Sequence, residues 1–140
     1  ENILASMEKV PATDFAFKPA SDVMSIQEML GHLTDANYSI CAPLKDEPNP
    51  DAGGNAKKHG EKAALLGALA KSFDYCLEAV SAADGKLAEQ TKARVPRDKA
   101  WVALHILDHT ALHYGNLITY MRIRGLVPVE TERRLQAAPK

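Results

Sequence analysis

Helical periodicity constrains the fold of this chain most, because it recurs in four segments and no segment alternates convincingly as a β-strand. The segments run from Glu1 to Val10, from Ser25 to Pro43, from Gly60 to Ala83 and from Asp98 to Arg124. Each places apolar side chains three and four residues apart, which aligns them on one helix face. Four amphipathic helices predict a single all-α domain over residues 1–140, folded as a four-helix bundle.

Capping signals mark where two of these helices begin or end. Ser25 and Glu28 form a capping-box pattern at the start of the second helix, and Gly125 follows the fourth where a C-terminal glycine is typical. The first helix is short beside the others, which suggests that residues before Glu1 belong to the same helix. We expect the tail from Val127 onward to pack loosely or to extend.

Charge and hydropathy argue against two classes of partner. The net charge is −1 and no basic stripe is present, so the chain lacks the electrostatic footprint of a nucleic-acid-binding protein. No apolar run approaches the roughly 18–20 residues that a membrane span needs. We therefore expect no nucleic acid and no membrane as partners. A homodimer is compatible with a helical bundle, although no exposed apolar stripe is evident in the sequence.

Three of the five histidines recur at intervals of four in the fourth helix, at positions 105, 109 and 113. The row is bracketed by the apolar residues Trp101, Leu117 and Met121. A step of four residues turns a helix only about 40° beyond a full turn, so part of the row is predicted to face inward. A histidine pair at this spacing can converge on one metal ion.

All three cannot bind one ion, because His105 and His113 are about 12 Å apart along the helix axis. The pair is either His105 with His109 or His109 with His113. His32, on the apolar face of the second helix, is the obvious third ligand. If the second helix runs antiparallel to the fourth, His32 is nearer the level of His113, which favours His32, His109 and His113. The alternative without metal is that the row lines a polar groove.

Two motifs in the same order resemble a known family. The run from His109 to Pro128, HTALHYGNLITYMRIRGLVP, resembles the last-helix signature of the DinB (DNA-damage-inducible, YfiT-like) proteins. The segment from Ile26 to Tyr38, with Gly-His-Leu at its centre, resembles their second-helix motif. The resemblance extends over essentially the whole chain, including the connector DFAFKP.

The resemblance implies a four-helix bundle in up-down-down-up order, with a divalent metal ion, zinc or nickel, on His32, His109 and His113. His105 lies one turn before the motif and is not implied as a ligand. Many members have Arg-Gly-Gln where this chain has Tyr114-Gly-Asn, so any role of that arginine is lost here. Characterised relatives include metal-dependent transferases that use a low-molecular-weight thiol.

These features predict a metal-dependent enzyme, a thiol-dependent transferase or a hydrolase acting on a small molecule. The candidates for supporting the ligands or moving protons are His105, Glu28, Asp35, Asn116 and Tyr120. The alternative is a non-catalytic metal-binding or stress-response module.

The two cysteines, Cys41 and Cys76, are compatible with buried thiols or with one disulfide. The parallel second and third helices that the resemblance implies place the two residues at the same level and favour the disulfide. A disulfide in turn favours an exported or periplasmic protein over a cytoplasmic one.

Overall fold

A computed structural model of the protein describes residues 2–57 and 60–137, and these fold into α-helices joined by turns and connectors. The helices are α1 (Asn2–Glu8), α2 (Ile26–Cys41), α3 (Lys62–Ala82), α4 (Lys99–Ile123) and α5 (Val129–Ala137). Short 3₁₀ turns cover Ala12–Asp14, Ala42–Lys45 and Asn55–Lys57. Within the described ranges there is no β-strand, so the all-α prediction is confirmed. No helix there is long and apolar enough to span a membrane.

Both capping predictions are confirmed. The Ser25 hydroxyl accepts a hydrogen bond from the Glu28 N–H, and the Glu28 carboxylate accepts one from the Ser25 N–H. Gly125 has a φ of 73° and follows α4. Its N–H bonds to the Arg122 carbonyl while the next N–H bonds to the Met121 carbonyl, which is the Schellman pattern of a helix end.

Side-chain pairs fix the relative directions of the three long helices. Asn37 donates a hydrogen bond to Ser72, and Cys41 is disulfide-bonded to Cys76. In both pairs the residue of α3 comes 35 positions after its partner in α2, which is a constant offset in residue number. A constant offset requires α2 and α3 to run parallel. Cys41 also packs in one cluster with Ile106, whereas the start of α2 packs in another with the end of α4, so α4 runs antiparallel to α2.

A disulfide joins Cys41, at the end of α2, to Cys76 of α3 within a buried core cluster. Its Cα atoms are 5.3 Å apart, within the usual range for such a bond. The bond therefore replaces the two buried thiols that the sequence alone left as an alternative.

The C-terminal tail forms a helix, which the sequence analysis did not predict. α5 packs along α1, where the Val129 N–H donates to the Ser6 hydroxyl and Arg133 donates to Asn2. An ion pair between Lys9 and Glu132 adds to the same contact. The tail is therefore attached to α1 by its backbone and its charged side chains.

Some residues expected in the core face solvent. Leu77 and Val80 follow the three-and-four apolar spacing of the third helix, which predicts an inner face, yet Leu77 is 70% and Val80 is 39% exposed. Trp101 is half-exposed, although Leu117 and Met121 are fully buried as the histidine row implied. Leu104 and Leu107 of α4 are each 67% exposed, although no exposed apolar stripe is evident in the sequence. Periodicity alone could not show this, since α4 carries apolar residues on more than one side.

Candidate metal centre

Two antiparallel helices bring three imidazoles together near the middle of the bundle. His109 and His113 lie one turn apart on α4, with ring centroids 4.6 Å apart. α2 contributes His32, whose ring centroid is 5.1 Å from that of His109 and 4.7 Å from that of His113. The Nε2 atoms of His32 and His109 are 3.2 Å apart. The three rings therefore converge on one small volume, tilted or edge to face against one another.

The donor set of this cluster fits a divalent ion. One nitrogen from each of His32, His109 and His113 lies within 4.8 Å of the others, and these residues form the metal-compatible group in the described part of the chain. Zinc is bound by imidazole nitrogens at about 2.0–2.1 Å, so nitrogens around one ion lie only a few ångströms apart. The sequence-predicted trio is thus brought together in the fold, and its geometry is compatible with a metal site.

Burial keeps two of these histidines neutral. His113 is only 8% exposed, and burial together with the neighbouring His109 and His32 lowers its pKa to about 4. Burial, followed by the nearby His32 and His105, also lowers the pKa of His109. A histidine must be neutral to bind a metal ion, so both rings are in the binding form at neutral pH.

The Nδ1 atoms of the α4 histidine pair lack a hydrogen-bond partner in the part of the chain that the structure describes. The Nδ1 atoms of His109 and His113 are buried and make no hydrogen bond within residues 2–57 and 60–137. Metal-binding histidines usually donate this second nitrogen to a carboxylate or a carbonyl, which orients the ring. Here the Nε2 atoms of His32 and His109 form a hydrogen bond, and the three rings contact one another.

His105 lies apart from the three converging rings. Its ring stacks on Trp101 with centroids 4.8 Å apart and a 23° angle between the planes. The guanidinium of Arg97 lies over the same indole, 5.6 Å from its centroid. The His105 centroid is 6.2 Å from that of His109. His105 thus continues the row away from the cluster and belongs to a separate stack at the start of α4.

Glu28 is one turn before His32, but its carboxylate has other partners. It accepts the Ser25 N–H of the capping box and forms an ion pair with Lys18 at 2.8 Å. The hydrogen bond from Lys18, followed by those from Ser25, lowers the pKa of Glu28 to about 2. The side chain is therefore an ionised cap of α2.

Asp35 holds the connector between α2 and α3 against α2. Its carboxylate accepts hydrogen bonds from the backbone N–H groups of Asn55 and Ala56 and from the Asn55 side-chain amide. The connector backbone lies so close to Gly31 that an added Cβ would be 2.6 Å from the Ala56 Cα. This contact was not predicted from the sequence, although Gly31, beside His32 in an otherwise regular helix, is a signal that could have indicated it.

The two candidates after His113 have different surroundings. Asn116 is exposed on α4. Tyr120 is buried, packs edge to face on Phe17 with centroids 6.1 Å apart, and has a pKa raised by burial. Tyr120 is thus part of the hydrophobic core that surrounds the start of α2.

The chain matches a family model over most of its length. The match covers residues 1–117 and is to the model of the DinB superfamily, a span that includes all three converging histidines. No curated protein is similar enough to match. With the helical fold and the histidine cluster already described, this match shows that the chain belongs to the DinB superfamily.

Proposed function

We propose that the protein binds one divalent metal ion, zinc or nickel, through His32, His109 and His113, and that it is a metal-dependent transferase or hydrolase acting on a small molecule. The observation that carries the proposal is the convergence of three imidazoles from two helices within 4.8 Å. Imidazole is a ligand that suits zinc, nickel and copper better than magnesium or calcium.

Three protein ligands favour a catalytic site over a structural one. Structural zinc sites are normally closed by four protein ligands, whereas catalytic sites keep a position for water or substrate. When bound, the ion would lower the pKa of a coordinated water or thiol and so supply a nucleophile. The chain's part is to present neutral imidazoles at neutral pH, which follows from the burial of His109 and His113.

A thiol-dependent reaction would need a thiol from another molecule. The chain has two cysteines, and both are joined in the Cys41–Cys76 disulfide. The thiol would therefore be a low-molecular-weight cofactor or substrate. This supports a transferase that uses a small thiol, while a hydrolase would use water at the same position.

A second candidate function is a non-catalytic metal-binding or stress-response module. The observation that favours it is that the two carboxylates one turn from His32 already have partners: Glu28 caps α2 and Asp35 binds the connector between α2 and α3. Neither is free to act as an acid or base without giving up a structural contact. The two functions differ in whether the bound ion keeps an open coordination position.

Elemental analysis of protein purified without a metal-affinity column tests the site. We expect about one divalent ion per chain in the parent protein and in His105→Ala, because His105 lies outside the cluster. In His113→Ala the loss of a ligand should lower the affinity by more than the 10–100-fold that is typical of outer partners. Retention of the metal by purified His113→Ala would overturn the assignment.

Cobalt substitution separates the enzyme from the module. The visible spectrum of the cobalt protein should change when a small thiol is added, because the thiol would enter an open coordination position. A spectrum that is unchanged at saturating thiol would favour the non-catalytic module. His105→Ala serves again as the matched control, with the same spectrum as the parent.

A further inference from the structure

A cavity of about 540 Å³ lies between α2, α3 and the connector that joins them. Thr34 and Tyr38 line it on α2, where the helical repeat turns them roughly 120–160° away from His32. Its volume falls within the range of about 300–1,000 Å³ that is typical of small-molecule sites. This α2–α3 cavity is therefore large enough for a small ligand and is separate from the histidine cluster.

Small residues of α3 form the floor of the α2–α3 cavity. Ala64, Gly67 and Ala68 line it there, and a Cβ added at Gly67 would meet no atom within 4 Å. Glycine is an unfavourable residue inside a helix, because it loses more backbone freedom on folding than any other residue. Gly67 thus leaves open a space that a larger side chain would occupy.

Hydrogen bonds fix the connector wall of the cavity. Asn55 donates its backbone N–H and its side-chain amide to Asp35, and the same amide donates to Asp51 at 2.6 Å. Asp51 also accepts the Gly53 N–H at 3.2 Å. The connector backbone lies against Gly31 of α2 as well. The cavity is therefore preformed, which reduces the entropy that a ligand loses by ordering its site.

Opposite charges line the cavity from two elements. The connector contributes Asp51 and α3 contributes Lys71. A carboxylate has about four acceptor positions, so Asp51 keeps acceptor capacity beyond its two hydrogen bonds. Lys71 forms no ion pair within residues 2–57 and 60–137, with Asp51 or with any other acid. Both charges are therefore available to a ligand.

Tyr38 adds an aromatic ring near Asp51. The ring contacts Tyr75, with centroids 5.2 Å apart, so its position is fixed. Burial raises the pKa of Tyr38 and the negative charge of Asp51 raises it further, which indicates that the carboxylate is near the phenol. A carboxylate beside an aromatic ring attracts an ammonium group through both its charge and the ring electrons. This end of the cavity suits a primary ammonium group.

We propose that the α2–α3 cavity binds a free α-amino acid with an apolar or aromatic side chain. The ammonium group pairs with Asp51 beside Tyr38, the carboxylate pairs with Lys71, and the side chain lies over Gly67. The two free charges of opposite sign and the uncharged floor between them carry this choice of ligand. The inference does not depend on the metal chemistry.

NMR titration of the ¹⁵N-labelled protein with three related probes tests the proposal. L-phenylalanine carries both charges, phenethylamine lacks the carboxylate, and 3-phenylpropionate lacks the ammonium group. Phenylalanine should shift the amide signals of Gly53, Asn55 and Gly67. It should bind roughly two- to fivefold more tightly than either analogue, which is the contribution of one exposed ion pair. An analogue that binds as tightly as phenylalanine, or shifts confined to the surroundings of His32 and His109, would overturn the proposal.

Two variants and a control locate the site. Gly67→Leu places a good helix former in α3 and fills the cavity, so phenylalanine binding should be lost while the circular dichroism spectrum is unchanged. Lys71→Met should weaken the binding of phenylalanine by the same two- to fivefold and leave that of phenethylamine unchanged, because only the partner of the carboxylate is removed. Lys86→Met, which removes an exposed lysine outside the cavity, should bind all three probes as the parent does. Full phenylalanine affinity in Gly67→Leu or in Lys71→Met would contradict the assignment.

Discussion

Gly31→Ala tests the close approach between α2 and its connector. Alanine usually stabilises a helix interior relative to glycine by up to about 1 kcal/mol. At Gly31, however, the new Cβ would lie 2.6 Å from the Ala56 Cα and closer still to the Asn55 carbonyl. Both obstacles are backbone atoms, so the connector itself would have to move away by about 1 Å to restore an ordinary contact near 3.4 Å or more.

The cost follows from the hydrogen bonds that this movement breaks. Asp35 accepts from the Asn55 and Ala56 N–H groups at 3.1 and 3.3 Å and from the Asn55 amide at 2.7 Å. Losing two of the three at about 1 to 1.5 kcal/mol each outweighs the gain in helix propensity. We expect Gly31→Ala to lower the free energy of unfolding by about 1–2 kcal/mol.

Urea denaturation checks this value, and Gly67→Ala is the matched control. Gly67 lies inside α3, and a Cβ there would meet nothing within 4 Å. The control should raise the free energy of unfolding by up to about 1 kcal/mol. Limited proteolysis should cut the connector faster in Gly31→Ala than in Gly67→Ala. A Gly31→Ala protein as stable as the control, with an equally protected connector, would refute the reasoning.

Two further predictions concern the disulfide and the metal-free protein. Reducing the Cys41–Cys76 bond, which spans 35 residues, should lower the free energy of unfolding by about 4 kcal/mol in urea, and a Cys41→Ala/Cys76→Ala protein should show no response to the reductant. In the metal-free protein the pKa of His113 is about 4, whereas in the unfolded chain it is near 6.5. As the pH falls, a proton therefore binds the unfolded chain before it binds the folded one. The free energy of unfolding should thus decrease as the pH drops from 6.5 to 4. Urea denaturation at several pH values measures this fall, which should be smaller in His113→Gln; a pH-independent midpoint in the parent would contradict it.

The sequence predicted α2, α4 and the pairing of His109 with His113 because each rests on a local rule, whereas the meeting of His32 with that pair rested on a supposed packing and on the family resemblance. The capping box and the glycine stop locate helix ends, and the four-residue repeat places two imidazoles on one face. Axial rise then separates His105 from His113. The antiparallel packing of α2 on α4 was a supposition at that stage, which the core clusters now support.

The contacts that sequence analysis missed are all between segments distant in the chain. The hydrogen bonds of Asp35 depend on how a connector twenty residues later folds back, and Gly31 indicates only that some segment approaches α2 there, not which one. α5 has no buried residue of its own and is held by polar contacts to α1, so it lacks the apolar stripe on which a helix prediction depends. Leu77 and Leu107 are exposed because no described helix covers them at their position along the bundle. The apolar periodicity of a helix does not indicate whether a neighbouring helix covers it.

Because α2 lies between α3 and α4, we expect the helices to differ in how readily each one unfolds locally. One side of α2 is covalently tied to α3 through Cys41, and the other side faces α4 through His32. α1 and α5, by contrast, are short and held mainly at one corner. Amide hydrogen exchange should therefore be slowest in α2 and fastest in α5, and a bound ion should slow exchange in α4 more than in α3. The helix that carries His32 is then the one whose opening would separate the three imidazoles.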